Sequence, residues 1–186
     1  LKGLVTQMEL ISINRDGSPD KPGIEISNGT KEVLTETFNF YESVGFERPW
    51  ISYLGTVDNK PIGICSFKSL PKDGQVEIAY FTFPNQEGRG FATEMARKLI
   101  EIAKKEQQEI SVIAQTLVAP NASHQVLRKL GFNPVGEIDH PGDGTVLEWI
   151  LQVNPARLPG GCIRTNFPTL RGSLFAGAPG VKSIPT

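Results

Sequence analysis

Residues 84–94 read PNQEGRGFATE, and this stretch decides the fold. A strand pattern over Gln75–Phe83 precedes it, and a helical pattern over about Phe91–Glu106 follows it. Gly88 and Gly90 lie where the helix begins. The first N–H groups of a helix carry the positive end of its dipole, and glycine lets an anion approach that backbone closely. The stretch therefore predicts a cradle for a phosphate.

Two well-known phosphate motifs do not fit this loop. The sequence contains no Gly-x-x-x-x-Gly-Lys-Ser/Thr run, which a Walker loop requires. The dinucleotide-binding fingerprint needs a third glycine at the position of Thr93. On the glycines alone, a tight strand-to-helix turn that binds no ligand is an equal alternative.

The sequence before this loop predicts a helix and an antiparallel meander. Leu4–Ile13 has the pattern of a strand, and Thr30 is positioned to cap a helix over Lys31–Ser43. The apolar residues of that helix recur at three- and four-residue steps: Val33, Leu34, Phe38 and Tyr41. Strands are predicted over Trp50–Val57 and Ile62–Leu70, with a hairpin turn between them.

The chain after the loop predicts a strand, a helix and a final antiparallel pair. Ile110–Val118 is nearly continuously apolar, which is typical of a strand buried on both faces. Asn121 can cap a helix that ends at Gly131. The final strands are Val135–Asp139 and Thr145–Val153. This order predicts an α/β fold, with a mixed sheet and one central βαβ unit.

Composition narrows the class of protein. The 186 residues carry a formal net charge of −1, which does not favour a nucleic-acid binder. No run approaches the roughly 18 apolar residues of a membrane helix. Cys65 and Cys162 lie far apart and form neither a zinc motif nor a disulfide framework. We therefore expect a cytoplasmic protein that binds no metal, nucleic acid or membrane.

A change of composition divides the chain near residue 154. Residues 155–186 contain five Pro, five Gly, four basic residues and no acidic residue. They show neither helical nor strand periodicity, which predicts an irregular tail, either native or translated from vector sequence. The domain is therefore expected to span residues 1–154.

Two sequence blocks resemble the GNAT superfamily of acyl-CoA-dependent N-acetyltransferases. The first block is the glycine pair followed by FATE over residues 91–94. The second block lies one βα unit later, with Asn121 and Ser123 followed by KLGF over residues 129–132. Within the superfamily, this pattern is similar to the RimJ/RimL-like branch that acetylates the N-termini of ribosomal proteins. Asn85 stands where the motif usually has Gln or Arg.

The resemblance implies acetyl-CoA as the co-substrate and no metal. The diphosphate would lie on the glycine loop, and the pantetheine arm would run beside the strand that ends at Phe83. The strand over Ile110–Val118 would diverge from it and leave a gap for the thioester. The implied cofactor-binding residues are Phe81, Phe83, Gly88, Arg89, Gly90, Phe91, Ala92 and Asn121.

Three residues are candidates for proton transfer. Glu77 is the candidate base, with a structural carboxylate as an equal alternative. By the same resemblance Ser123 is the candidate acid, although a helix-capping hydroxyl there is at least as well supported. Tyr80 is a second candidate acid, or simply a strand aromatic. His124 and His140 are expected to be solvated and form no metal pair.

The expected activity is transfer of acetyl from acetyl-CoA to a primary amine. At pH 7 roughly a tenth of α-amines are neutral, against fewer than about one lysine in a thousand, so an α-amine needs only a weak base. A protein or peptide N-terminus is therefore the favoured acceptor. The alternatives are an aminoglycoside or polyamine acceptor, and a non-catalytic acyl-CoA-binding regulatory domain. The sequence leaves a homodimer open.

Overall fold

One mixed sheet of seven strands, with three α-helices, makes up the described part of the computed structural model, which comprises residues 7–140, 142 and 144–151. The elements are β1 (Glu9–Ser12), α1 (Asn28–Val44), β2 (Ser52–Val57), β3 (Lys60–Phe67), β4 (Gln75–Thr82), a 3₁₀ turn (Pro84–Gln86), α2 (Phe91–Glu106), β5 (Ser111–Leu117), α3 (Ala122–Lys129), β6 (Asn133–His140) and β7 (Gly144–Leu151). The strand order is β1-β2-β3-β4-β5-β7-β6. The predicted α/β fold with a mixed sheet is confirmed.

β2, β3 and β4 form the predicted antiparallel meander, and β1 pairs antiparallel with β2. Asp58 and Asn59 make the two-residue turn between β2 and β3, with positive φ angles of 51° and 62°. Such angles at both positions are typical of a turn that matches the twist of a hairpin. β3 ends at Phe67, three residues before the predicted end.

The start of α1 differs from the prediction. Ser27, rather than Thr30, is the N-cap, and its side chain accepts a hydrogen bond from the Thr30 N–H at 3.2 Å. Thr30 is buried in the first turn, with its hydroxyl 2.9 Å from that of Ser27. Phe38, predicted on the apolar face, is 40% exposed, and Thr37 and Phe40 are buried instead.

The parallel crossover lies at the centre of the sheet. β4 and β5 are parallel neighbours, and α2 connects them with the predicted bounds Phe91–Glu106. Met95 and Leu99 of α2 are fully buried, as are Val112 of β5 and Leu127 of α3. The apolar stripe of α2 therefore anchors the loop that precedes it against the core.

The two faces of the sheet carry different helices. A Cβ atom at Gly63 would lie 2.9 Å from Cε of Met95, so Gly63 and its partner Thr82 point toward α2. α3 packs on this same face, because its His124 contacts Trp149, which pairs with Ala114. We call this the α2 face. Leu54 and Ile64 point to the opposite face and are fully buried, although α2 and α3 lie on the other side, so α1 covers part of it, and we call it the α1 face. Tyr41 of α1 accepts a hydrogen bond from the Ser52 N–H at 2.9 Å.

Some predictions lie outside the described residues. They concern the first residues of the strand predicted over Leu4–Ile13, the end of the strand predicted over Thr145–Val153, Cys162, and the tail over 155–186. In the part of the chain that is described, no helix has the length and apolar character needed to cross a membrane.

Candidate functional site

A cleft opens in the middle of the sheet between β4 and β5. The two strands pair only from Gln75 to Glu77 and from Ser111 to Ile113. Beyond those residues both strands continue, to Thr82 and Leu117, without pairing to each other. The predicted divergence of the strand over Ile110–Val118 is therefore present, and it leaves main-chain groups of two strands facing a gap.

The glycine loop lies at the mouth of this cleft. Gly88 and Gly90 have φ angles of 70° and 83°, in the left-handed region that favours glycine. Gly90 is the N-cap of α2 and provides no side chain to cap it, whereas α1 and α3 are capped by Ser27 and Asn121. A Cβ atom at Gly88 or Gly90 would meet nothing within 4 Å. The first N–H groups of α2 are therefore accessible to an anion, so the loop fits the diphosphate of acetyl-CoA.

Arg89 is held over this loop by two neighbours. Its guanidinium donates a hydrogen bond to Oε1 of Gln86 at 2.5 Å and lies 4.9 Å from the centre of the Phe91 ring. Gln86 therefore orients a cation beside the helix start.

The main chain of β4 alternates between its two neighbours. The Phe83 N–H donates to the Ile62 carbonyl at 3.0 Å, and the Glu77 carbonyl accepts from Lys68 at 2.9 Å. Odd-numbered residues therefore point their main-chain groups toward β3, and Tyr80 and Thr82 point theirs toward the cleft. The side chains of Phe81 and Phe83 lie edge to face, with ring centres 6.0 Å apart. Any strand-like bonds to a pantetheine arm would come from Tyr80 and Thr82 rather than from Phe81 and Phe83.

Two hydroxyl groups on β4 are buried without a partner. The Tyr80 and Thr82 hydroxyl oxygens are buried, and neither makes a hydrogen bond within the described residues. Burial raises the pKa of Tyr80, and the nearby Ser123 side chain lowers it by a smaller amount. The phenol therefore stays protonated at neutral pH. The structure brings the two candidate acids together on the α2 face, at the side of the cleft.

The loop between β5 and α3 is held by its own side chains. Oδ1 of Asn121 accepts from the Ser123 N–H at 3.0 Å, which confirms Asn121 as the N-cap. Nδ2 donates to the carbonyls of Ala119 at 2.9 Å and Leu117 at 3.3 Å. The Asn121 amide is thus engaged by the loop itself. His124 was expected to be solvated, but it is 6% exposed.

Glu77 lies on the opposite face from the candidate acids. It is three residues from Tyr80 along a strand, so its side chain points to the α1 face. It is also the last residue of β4 that pairs with β5, at the apex of the cleft. The structure therefore separates the candidate base from Tyr80 and Ser123 by the thickness of the sheet.

A second carboxylate shares the α1 face, and the sequence analysis missed it. Glu148 of β7 pairs with Gln115 of β5, which lies two residues along the strand from the Ile113 that pairs with Glu77. Burial raises the pKa of Glu148 above its ordinary value of 4.5, and its carboxylate has no ion pair or hydrogen bond among the described residues. The available signal was its place between Val146 and Ile150 on one face of a strand.

The described residues hold no group of three His, Cys, Asp or Glu side chains that could bind a metal ion. Cys65 is free and buried, and burial raises the pKa of its thiol. The described thiol is therefore a core side chain rather than a nucleophile facing the cleft.

Comparison with known families and curated proteins gives two matches. A family model described as an acetyltransferase (GNAT) domain matches residues 27–133. The N-acetylaspartate synthetase of Xenopus tropicalis is 28% identical over 92 residues, which are 49% of this chain and 32% of that protein. The chain thus spans about a third of the length of this curated relative.

Comparison with solved structures shows the same fold. The apo form of RimL, a ribosomal alpha-N-protein acetyltransferase, gives a TM-score of 0.59 at 16% identity over 79% of this chain and 94% of that one. RimL in complex with coenzyme A gives 0.58 at 17% identity, over 80% and 95% of the two chains. A chimera of the spermidine N-acetyltransferase SpeG from Vibrio cholerae with hSSAT gives 0.58 at 13% identity, over 78% and 95%.

Proposed function

We propose that this chain, which belongs to the GNAT acetyltransferase family, is an acetyl-CoA-dependent N-acetyltransferase. We propose further that its acceptor is the N-terminal amine of a protein or peptide. Residues 1–154 are proposed to form the catalytic domain. The tail over 155–186 is proposed to be dispensable for turnover.

The observation that carries the proposal is the cleft between β4 and β5, with its mouth at the uncapped start of α2. Main-chain N–H groups from Gly88 to Ala92 would bind the diphosphate, with Arg89 beside them. Main-chain groups of Tyr80 and Thr82 would bind the pantetheine arm. Acetyl-CoA supplies the thioester, and a main-chain N–H at the cleft would stabilise the negative charge that develops on its carbonyl oxygen.

The two faces of the sheet suggest a division of the proton transfers. Glu77 on the α1 face would accept the proton of the attacking amine. Ser123 or Tyr80 on the α2 face would donate a proton to the departing thiolate. The acceptor amine therefore approaches from the α1 face, where the carboxylates lie.

An α-amine acceptor agrees with the chemistry of this site. An α-amine has a pKa of about 7.7–8.0, so a carboxylate in contact with water suffices as a base, whereas a lysine at about 10.4 needs a stronger one. RimL and the N-acetylaspartate synthetase are both named for products acetylated on an α-amine. Both relatives therefore favour an α-amine acceptor.

A polyamine is the second candidate acceptor. Glu77 and Glu148 put two carboxylates on one partly open face, and Glu148 has no cation beside it among the described residues. Such an arrangement attracts a substrate with more than one positive charge. The spermidine acetyltransferase chimera has the same fold.

A panel of acceptors tests the proposal, with release of the coenzyme A thiol as the measurement. The panel contains a peptide with a free N-terminus, the same peptide blocked at its N-terminus but retaining a lysine, spermidine and an aminoglycoside. We expect kcat/KM for the free peptide to exceed that for the blocked one at least about tenfold at pH 7. Fastest turnover of spermidine would favour the polyamine, and binding of acetyl-CoA without thiol release would indicate a regulatory domain.

A further inference from the structure

His124 occupies an unusual environment for a residue in the first turn of a surface helix. Its Nε2 lies 2.9 Å from the carbonyl oxygen of Leu117, and its ring centre lies 5.1 Å from that of Trp149. A carbonyl can only accept a hydrogen bond, so Nε2 carries the proton and donates it. The bond ties the start of α3 to the last residue of β5.

The Trp149 side chain, which packs against His124, is itself held in place. Nε1 of Trp149 donates to Oγ1 of Thr116 at 3.0 Å, and the Arg128 guanidinium lies 5.6 Å from the centre of the indole ring. Trp149 is fully buried. His124 therefore has little freedom to rotate, and it joins α3 to both β5 and β7.

Ser123 is the residue directly before His124, and its side chain lies beside the Tyr80 hydroxyl. Asn121 fixes the Ser123 main chain from the other side, through its bond to the Ser123 N–H. Asn121 and His124 also converge on the same carbonyl, that of Leu117. The position of the Ser123 hydroxyl across the cleft thus depends on how firmly this short loop is held against the end of β5.

We propose that His124 is a positioning residue, whose hydrogen bond to the Leu117 carbonyl holds the Ser123 hydroxyl against Tyr80 at the cleft. This inference rests on the proposed role of Ser123 as an acid. Misplacement of a reacting group by about 1 Å can lower a rate by up to about a hundredfold. Loss of this bond should therefore lower kcat without changing how acetyl-CoA binds to the loop before α2.

The test compares two substitutions that differ in the donor. His124→Gln keeps an N–H donor at similar reach, whereas His124→Leu keeps apolar bulk against Trp149 and removes the donor. We expect His124→Leu to lower kcat about tenfold with KM for acetyl-CoA unchanged, and His124→Gln to retain most of kcat. If the leucine variant does not fold, His124→Asn, whose amide is too short to reach Leu117, replaces it.

A double-mutant cycle with Ser123→Ala separates positioning from general damage to the structure. If His124 acts through Ser123, His124→Leu should have almost no further effect on kcat in the Ser123→Ala background. A tenfold loss in both backgrounds would overturn the inference, as would equal losses for the glutamine and leucine variants. If Ser123→Ala alone leaves kcat unchanged, Ser123 is not the acid and the inference fails. Acetyl transfer by the wild type would still support the proposed function.

Discussion

The two halves of β4 differ more than any other two regions of the sheet. From Gln75 to Glu77 the strand pairs with β5 on one side and makes main-chain hydrogen bonds to Lys68 and Lys72 on the other. Val76 in this half is buried in the core. Among the described residues, Ile78 to Thr82 pair only with β3, and the Tyr80 and Thr82 hydroxyls are buried without a hydrogen bond. The first half contributes packing and hydrogen bonds to the fold. The second half leaves polar groups unsatisfied, which a stable core does not do without a reason.

This difference suggests that stability and activity are carried by neighbouring segments of one strand. The buried hydroxyls of the second half and the first N–H groups of α2 have one property in common. Both have hydrogen-bonding capacity that the described part of the chain does not use. Substitutions in the two halves should therefore have separable effects on folding and on acetyl-CoA chemistry.

The largest effect is expected from Gly90→Asp at the open end. An aspartate there adds a negative charge and can cap α2 with its own carboxylate, so it competes directly with a phosphate. We expect acetyl-CoA to bind at least about a hundredfold more weakly, which corresponds to about 2.7 kcal/mol. Acetyl-CoA at 100 times the wild-type Kd should stabilise the wild type by about 2.7 kcal/mol, a rise in Tm of about 5–10 °C, and should raise the Tm of the variant by no more than about 2 °C.

Gly74→Asp is the matched control for that substitution. Gly74 also has a positive φ, 74°, and a Cβ atom there would meet nothing within 4 Å. It lies in the turn before β4, at the paired end. The control should lose a similar amount of stability through backbone strain and keep its full thermal shift with acetyl-CoA. If acetyl-CoA raises the Tm of the two variants equally, the diphosphate does not bind at the start of α2.

A smaller effect is expected at the boundary between the halves, where Glu77→Gln removes the proposed base. We expect kcat/KM to fall about 30-fold at pH 6.5 with an N-terminal peptide. This is somewhat less than the roughly hundredfold low end for general-base catalysis, because an α-amine needs only a weak base. The ratio of wild type to variant should shrink above pH 9, because the α-amine, with a pKa of about 7.7–8.0, is then neutral without help. The measurement is the pH dependence of kcat/KM between pH 5 and 9.5.

Glu148→Gln is the comparison for the base. Burial holds the pKa of Glu148 above 4.5, so as pH falls this carboxylate would lose its ability to accept a proton earlier than an ordinary glutamate. If Glu148 is the base, its variant rather than Glu77→Gln will show the pH-dependent loss. A ratio for Glu77→Gln that is flat across pH would leave Glu77 a structural role.

The sequence predicted the parts of this comparison that depend on local pattern. The bounds of α2 follow from its glycine pair and its amphipathic stripe, and both are found as predicted. The cap of α1 differs from the prediction because Ser27 and Thr30 have similar capping chemistry, and burial of Thr30 in the folded chain decides between them. Local pattern cannot resolve such a choice.

What the sequence could not give depends on contacts between distant residues. The burial of His124 requires Trp149, which lies 25 positions later and reaches it only after β7 pairs with β5. The direction of the Tyr80 and Thr82 main-chain groups depends on how β3 pairs with β4. Alternation along one strand predicts which residues share a face, but not which neighbour their main-chain groups meet.

The smallest effects are expected from one substitution in each half of β4, which compares the two halves directly. Tyr80→Phe removes a buried hydroxyl that makes no hydrogen bond in the described structure, so the free energy of unfolding should stay within about 1 kcal/mol of the wild type or rise. Val76→Ala removes packing in the paired half and should lower the free energy of unfolding by about 2 kcal/mol. Urea denaturation measures both values.

The activities of these two variants should follow the opposite order. Tyr80→Phe should lower kcat about tenfold if Tyr80 is the proposed acid, because the phenol that would protonate the departing thiolate is lost. Val76→Ala should stay within about twofold of the wild type, since its side chain packs in the core away from the cleft. If Tyr80→Phe instead loses stability and keeps its kcat, the phenol supports the fold. The second half of β4 would then serve the same purpose as the first.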